Sequence, residues 1–111
     1  MVPFARLHIP PEGCSSVHFE RMMGAEAANK MLKDGWKPTA AEAKEIGLVK
    51  EVVTHEELLS RAQSLGEQWA KEGRKKTIPA GGSVEEYKKV NAKESLDLAD
   101  AFLSYNFLNV S

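Results

Sequence analysis

Pro10-Pro11-Glu12-Gly13-Cys14-Ser15-Ser16 is the stretch on which the reading of this chain turns. Each proline fixes its own φ near about −65° and holds the residue before it extended. Gly13 removes a side chain where the backbone must turn sharply or approach something closely. Ser15 and Ser16 are good helix-starting residues. The pattern predicts a stiff turn that opens a helix and presents one carboxylate, Glu12. Such a mount suits a general base, whose position must be fixed. It is also where helices ordinarily carry acidic residues.

Working outward, the spacing predicts a helix over 15–23, with Val17, Phe19, Met22 and Met23 as its apolar members and Gly24 at its end. A second helix over 25–33 turns Ala27, Ala28, Met31 and Leu32 inward and stops at Asp34-Gly35. Residues 1–9, on the other side of the turn, read as the end of a strand or a loop crossing a core. After the connector Trp36-Lys37-Pro38, Thr39-Ala40-Ala41-Glu42 matches a capping box, and its helix of about two turns ends at Gly47. Leu48-Val49-Lys50-Glu51-Val52-Val53 is the best strand candidate because it is rich in β-branched residues.

Thr54-His55-Glu56-Glu57 forms a second capping box. It opens a helix to about residue 72 that carries Leu58, Ala62, Leu65 and Trp69 on one face. Gly73 ends it, and a basic, Pro/Gly-rich loop runs through residues 74–82. Ser83-Val84-Glu85-Glu86 is a third box, starting a helix to about residue 104 with Val84, Tyr87, Val90, Leu98 and Phe102 along one side. The tail over 105–111 is apolar and uncapped. The expectation is five helices and one short strand. One strand forms no sheet by itself, and the amphipathic helices need apolar surface to cover. Either the chain packs against missing residues or a partner subunit, or it is a small all-α domain with an irregular extended segment.

Composition narrows the function classes. A length of 111 residues allows at most one ordinary domain. With 42% hydrophobic and 28% charged residues, the chain reads as globular rather than disordered. Fifteen Lys and Arg against sixteen Asp and Glu, net −1, give no general attraction to nucleic acid or an acidic membrane. One cysteine excludes an internal disulfide, and three scattered histidines give no metal site. No apolar run approaches the roughly 18 residues of a membrane-spanning helix. The N-terminus has no basic segment followed by an apolar core, and Leu108-Asn109-Val110-Ser111 is not a Ser-Lys-Leu address.

Other chemistry-bearing residues have plainer readings beside the functional ones. Cys14 with His8 or His18 would make a nucleophile pair, but a small apolar residue at a helix start is the commoner role. His18, between charged neighbours, reads as a surface residue. Arg74, Lys75 and Lys76 would suit phosphates or an acidic partner, or simply a solvated loop. Tyr87, Phe102 and Phe107 read as core or interface rather than ligand stackers.

Several stretches together carry a resemblance. Val2-Pro3-Phe4, Pro11-Glu12-Gly13-Cys14-Ser15-Ser16, Thr39-Ala40, Glu42-Ala43, Gly47-Leu48-Val49 and Val90-Asn91-Ala92-Lys93-Glu94 resemble the C-terminal half of the crotonase (enoyl-CoA hydratase/isomerase) superfamily. The turn around Glu12 is most similar to the peroxisomal-type Δ3,Δ2-enoyl-CoA isomerases. The resemblance implies an α-rich C-terminal fragment of an α/β crotonase fold. Residues 1–53 would be the end of its spiral core and 54–111 a C-terminal helical oligomerisation region. It implies an acyl-CoA thioester as substrate, with CoA part of that substrate and no separate cofactor, a homo-oligomer (trimer or hexamer), and a peroxisome or mitochondrion as location.

By the same resemblance, Glu12 is the base that isomerises a 3-enoyl-CoA to the trans-2-enoyl-CoA in fatty acid β-oxidation. A hydratase of the superfamily uses two glutamates, and the position of the second falls at about Phe4, which favours isomerase. The oxyanion-hole donors belong to segments upstream of Met1, so the isolated chain is expected to be inactive. The alternatives are a non-catalytic crotonase-like module for acyl-CoA binding or oligomerisation, and another crotonase activity such as hydration. Some relatives keep the Gly-Cys-Ser-Ser turn without the glutamate; the presence of Glu12 speaks against that class.

Overall fold

The computed structural model describes residues 1–75 and 82–109. Seven α-helices run through them: α1 (Phe4–Leu7), α2 (Ser15–Met23), α3 (Ala25–Leu32), α4 (Ala40–Glu45), α5 (Leu58–Lys71), α6 (Val84–Phe102) and α7 (Tyr105–Leu108), with a 3-10 turn at His55–Glu57 before α5. The chain extends 49 × 34 × 22 Å. Its buried apolar residues are Phe4, Ala28, Met31, Leu32 and Ala43, contributed by α1, α3 and α4. Around this small centre α2 packs on both α3 and α6. The helix that follows Glu12 is therefore held from two sides.

Residues 1–9 form no strand, and their centre is a single helical turn rather than a loop. The Pro3 carbonyl accepts the Leu7 N–H at 3.0 Å and the Phe4 carbonyl accepts the Ile9 N–H at 3.1 Å, closing the short helix α1 that drives Phe4 into the core. His8, in the left-handed region at φ 56°, ends it and releases the chain into Pro10-Pro11.

The strand expected over 48–53 does not form among the described residues. The β-branched residues are there, but no second strand offers a ladder, and an extended segment without one remains a loop. Its start is tied to α4, where the Ala43 carbonyl accepts the N–H groups of Leu48 at 2.9 Å and Val49 at 3.2 Å. Its middle is tied to α5 by a two-pronged ion pair. Arg61 donates from Nε to Glu51 Oε2 at 3.0 Å and from a terminal nitrogen to Oε1 at 2.8 Å. That pairing holds the Glu51 carboxyl below, and the Arg61 guanidinium above, their ordinary values.

The three capping boxes fare differently. At α4 the box is complete: Glu42 N–H donates to Thr39 Oγ1 at 3.2 Å and Thr39 N–H donates to Glu42 Oε1 at 3.1 Å. At α6 only half forms. Ser83 Oγ accepts the Glu86 N–H at 3.1 Å, while the Glu86 carboxylate turns away to Arg21 on α2. At Thr54 no side-chain cap forms, and the 3-10 turn takes its place before α5. The tail is capped after all, since Ser104 Oγ accepts the Phe107 N–H at 3.2 Å and opens α7.

The α4 box yields a stability prediction. The Thr39 N–H, followed by the Thr39 hydroxyl, holds the Glu42 carboxyl below its ordinary value of 4.5. A folded value lower than the unfolded one means that this stabilisation is complete above pH 4.5 and is lost as pH falls through the folded value. Replacing an N-cap Thr by Ala costs about 1 kcal/mol. At neutral pH, Thr39→Ala is expected to lower the melting temperature by roughly 3–6 °C. Alanine keeps the backbone N–H, the larger cause of the Glu42 shift, and removes only the hydroxyl, so the gap to wild type is expected to narrow only slightly as the melts are repeated at lower pH. A gap that widens on acidification would contradict this account.

Candidate functional site

The turn between α1 and α2 is the candidate site, and its backbone is determined residue by residue. Pro10 and Pro11 are half-buried and Glu12 is exposed. Gly13 and Cys14 both lie in the left-handed region, at φ 65° and 64°. Gly13 adopts that conformation freely. Cys14 does not, since a side chain there costs roughly 1–2 kcal/mol. A Cβ added at Gly13 would meet nothing within 4 Å, so backbone conformation rather than crowding calls for glycine there.

The helix start differs from the one expected. Neither serine caps α2: the N-cap residue is Cys14, and no N-cap side chain receives a helix amide. Ser15 turns back instead, and both its N–H (3.1 Å) and its Oγ (2.7 Å) donate to the Glu12 carbonyl. The open amides are met from α6. Cys14 N–H donates to Glu94 Oε1 at 2.7 Å, and Ser16 N–H donates to Glu94 Oε2 at 3.1 Å. Hydrogen bonds to a charged group contribute roughly 1.5–3 kcal/mol each. Two of them outweigh the left-handed strain at Cys14 and also offset part of the cost of burying the carboxylate.

Glu94 is 5% exposed and is the buried charged side chain among the described residues. The Cys14 thiol adds a third link to α6 by donating to the Tyr87 carbonyl at 3.5 Å. Arg21 and Glu86 form an ion pair that joins the same two helices, and Glu86 raises the guanidinium above its ordinary value. Through all of this the Glu12 side chain makes no hydrogen bond or ion pair among the described residues. The scaffold grips the turn's backbone and leaves its carboxylate open.

The other candidates fall away from this centre. Cys14 Sγ is engaged with the Tyr87 carbonyl rather than with a histidine. His8 is exposed and ends α1, while His18 is half-buried with its ring 6.4 Å from that of Tyr87. Arg74 lies over the Trp69 ring at 5.1 Å and pairs with Glu72 at 3.4 Å; Lys76 lies outside the described residues. Phe102 and Phe107 pack together at 4.9 Å across the α6–α7 corner. A cavity of about 310 Å³, lined by Met23, Glu26, Ala27, Lys30, Trp36 and Ile46, opens beside α3 and does not include Glu12. No three His, Cys, Asp or Glu side chains among the described residues converge as a metal-ligand set.

These two features, a carboxylate on a braced turn and a helical region behind it, coincide with a family match. The enoyl-CoA hydratase/isomerase family model matches residues 1–108. The chain belongs to the enoyl-CoA hydratase/isomerase family. Within it, the chain is 52% identical over 50 residues to enoyl-CoA delta isomerase 2 of Rattus norvegicus, covering 45% of this chain and 13% of that protein. It is 48% identical over 50 residues to testis-specific chromodomain protein Y 1 of Homo sapiens, covering 45% and 9%. Chromodomain Y-like protein of Homo sapiens is 46% identical over 50 residues, covering 45% and 8%. The match thus spans only a small part of the length of these relatives.

Of the residues that build this turn, Glu94 stands out in sequence only as the end of a similar stretch. A signal was present. Glu94 falls on the α6 stripe of Tyr87, Val90 and Leu98, all half-buried, at helical spacing. An acidic residue in a core position needs partners, and the uncapped amides of a neighbouring helix supply them.

Proposed function

We propose that this chain carries the general base of an enoyl-CoA isomerase, converting a 3-enoyl-CoA to the trans-2-enoyl-CoA, with Glu12 as the proton shuttle. One observation carries the reading: Glu12 is exposed and unpaired among the described residues, on a turn whose backbone is fixed by Ser15, Glu94 and two prolines. Its carboxylate removes a proton from C2 of the acyl chain and leaves a dienolate. The resulting carboxylic acid returns the proton at C4, and the double bond moves into conjugation with the thioester. A single group performs both transfers, so it must reach two carbons from one anchor without being drawn aside by a fixed partner.

The donors that meet the developing thioester oxyanion are not the α2 amides, because Glu94 already occupies those of Cys14 and Ser16. The rat relative named as a delta isomerase supports the reaction class. A second reading is a crotonase-like module that binds acyl-CoA or partners without turnover; what favours it is that other relatives carry chromodomain names with no enzymatic activity in them. Glu12→Gln in the intact protein carrying this sequence separates them: turnover is lost while acyl-CoA binding persists. An intact protein that binds acyl-CoA and turns over no 3-enoyl-CoA would favour the second reading.

The substrate and the location in a peroxisome or mitochondrion belong to the same reading, and so does a homo-oligomeric state. The apolar stripe of α5 has no buried residue, Leu59 is 79% exposed, and Leu103 near the end of α6 is 81% exposed. Exposed apolar surface on this scale marks an interaction face. Size-exclusion chromatography with light scattering is expected to show this chain self-associated at micromolar concentration. A compact, stable monomer would overturn the oligomer reading.

A further inference from the structure

We propose that Glu94 is the positioning residue of the Glu12 turn: its buried carboxylate, by taking the Cys14 and Ser16 amides, locks the left-handed Gly13-Cys14 pair and so aims the Glu12 side chain. The proposal rests on the reading of Glu12 as the base. Glu94 does not touch substrate in this account. It acts through the backbone.

The geometry supports a specific role rather than general packing. Glu94 lies 80 residues beyond Cys14 and 78 beyond Ser16, yet places one oxygen on each amide, at 2.7 and 3.1 Å. Both amides sit at the N-terminus of α2, where no residue of the turn itself caps them. Without an acceptor, two N–H groups beside α6 would be left unsatisfied. The turn would then relax toward conformations in which Cys14 leaves the left-handed region, since nothing intrinsic to a cysteine favours φ 64°. Glu12 precedes that residue by two positions. A change of φ at Cys14 re-aims the chain before it relative to α2, and Glu12 with it.

The remaining links between α2 and α6 cannot substitute. Arg21 pairs with Glu86 two turns further along α2, and the Cys14 thiol meets the Tyr87 carbonyl only through its side chain. Those contacts hold helix against helix. Among the described residues, Glu94 is what takes the Cys14 and Ser16 amides. The arrangement also explains an acidic residue on the half-buried stripe of α6, which packing by itself would fill with an apolar side chain.

The test compares Glu94→Gln with wild type in the intact protein. Gln keeps the size but sets an NH2 group against one of the two amides, so only one bond survives. The expected result is a fall in kcat for 3-enoyl-CoA of about tenfold to a hundredfold, the scale on which a misplacement of about 1 Å acts. KM is expected to stay within about twofold, since acyl-CoA binding does not use the turn amides. In amide hydrogen exchange, Cys14 and Ser16 are expected to exchange about tenfold faster or more, while Met31 in α3 keeps its protection.

An unchanged kcat would overturn the proposal. So would wild-type protection at Cys14 and Ser16, or a loss of protection that extends to Met31, which would mark Glu94 as an ordinary structural residue. If Glu94→Gln does not fold, Glu94→Asp, which keeps both oxygens one methylene short, is judged by the same measurements. If the wild-type protein turns over no 3-enoyl-CoA, the isomerase reading fails separately, and the exchange measurement alone decides whether Glu94 locks the turn.

Discussion

Glu12→Gln is expected to lower kcat for 3-enoyl-CoA isomerisation by about 10²–10⁴-fold in the intact protein, the usual contribution of a positioned acid–base group. Gln is nearly the same size as Glu but neither takes a proton from C2 nor returns one at C4. Acyl-CoA affinity, measured by calorimetry, should remain within about twofold, because the lost interaction belongs to the transition state rather than to binding. The structure makes this a clean substitution. The carboxylate of Glu12 holds no partner among the described residues, and the turn is fixed by the Glu12 carbonyl and the Cys14 and Ser16 amides, none of which the mutation alters. Melting temperature is therefore expected to be unchanged within about 2 °C, as for surface substitutions generally. A variant that retains near wild-type rate would remove Glu12 from the mechanism. A variant that loses rate and stability together would mean that Glu12 supports the fold rather than the chemistry.

Much of this arrangement was legible in the chain because local rules decide it. Helices α2 to α6 follow from apolar spacing and capping residues, with glycines ending α2 to α5, and the Thr39 box follows from two side chains three residues apart. The misses share one cause, which is that distant residues settle the outcome. Residues 48–53 have strand propensity but no ladder partner among the described residues, and Glu51 is drawn instead to Arg61. Glu86 had the sequence of a capping-box member and was taken by Arg21. Ser15 and Ser16 had the chemistry of caps, and Glu94 displaced them from 78 residues or more along the chain. The site was therefore half visible. The carboxylate and its stiff mount stand in sequence, while the clamp that fixes the mount comes from the opposite end of the chain.

A second large effect is expected near the far end of α2, where the chain after α4 comes close to it. Gly47 follows α4 with φ 86°, and a Cβ built on it would stand 3.0 Å from the Met22 carbonyl oxygen on α2. Gly47→Ala meets two penalties at once. The left-handed conformation costs roughly 1–2 kcal/mol for any residue with a side chain. The new methyl group also presses on a backbone oxygen, which cannot rotate aside as a side chain would, so the backbone at Met22 or Gly47 must give by a few tenths of an ångström. Together these are expected to cost at least about 2 kcal/mol and to lower the melting temperature by roughly 6–12 °C. Gly73→Ala supplies the control. Gly73 has a similar φ of 66° at the end of α5, but an added Cβ there meets nothing within 4 Å, so only the first penalty applies. The Gly47 variant should therefore melt well below the Gly73 variant in circular dichroism. Equal melting points would show that the approach of Gly47 to Met22 contributes nothing.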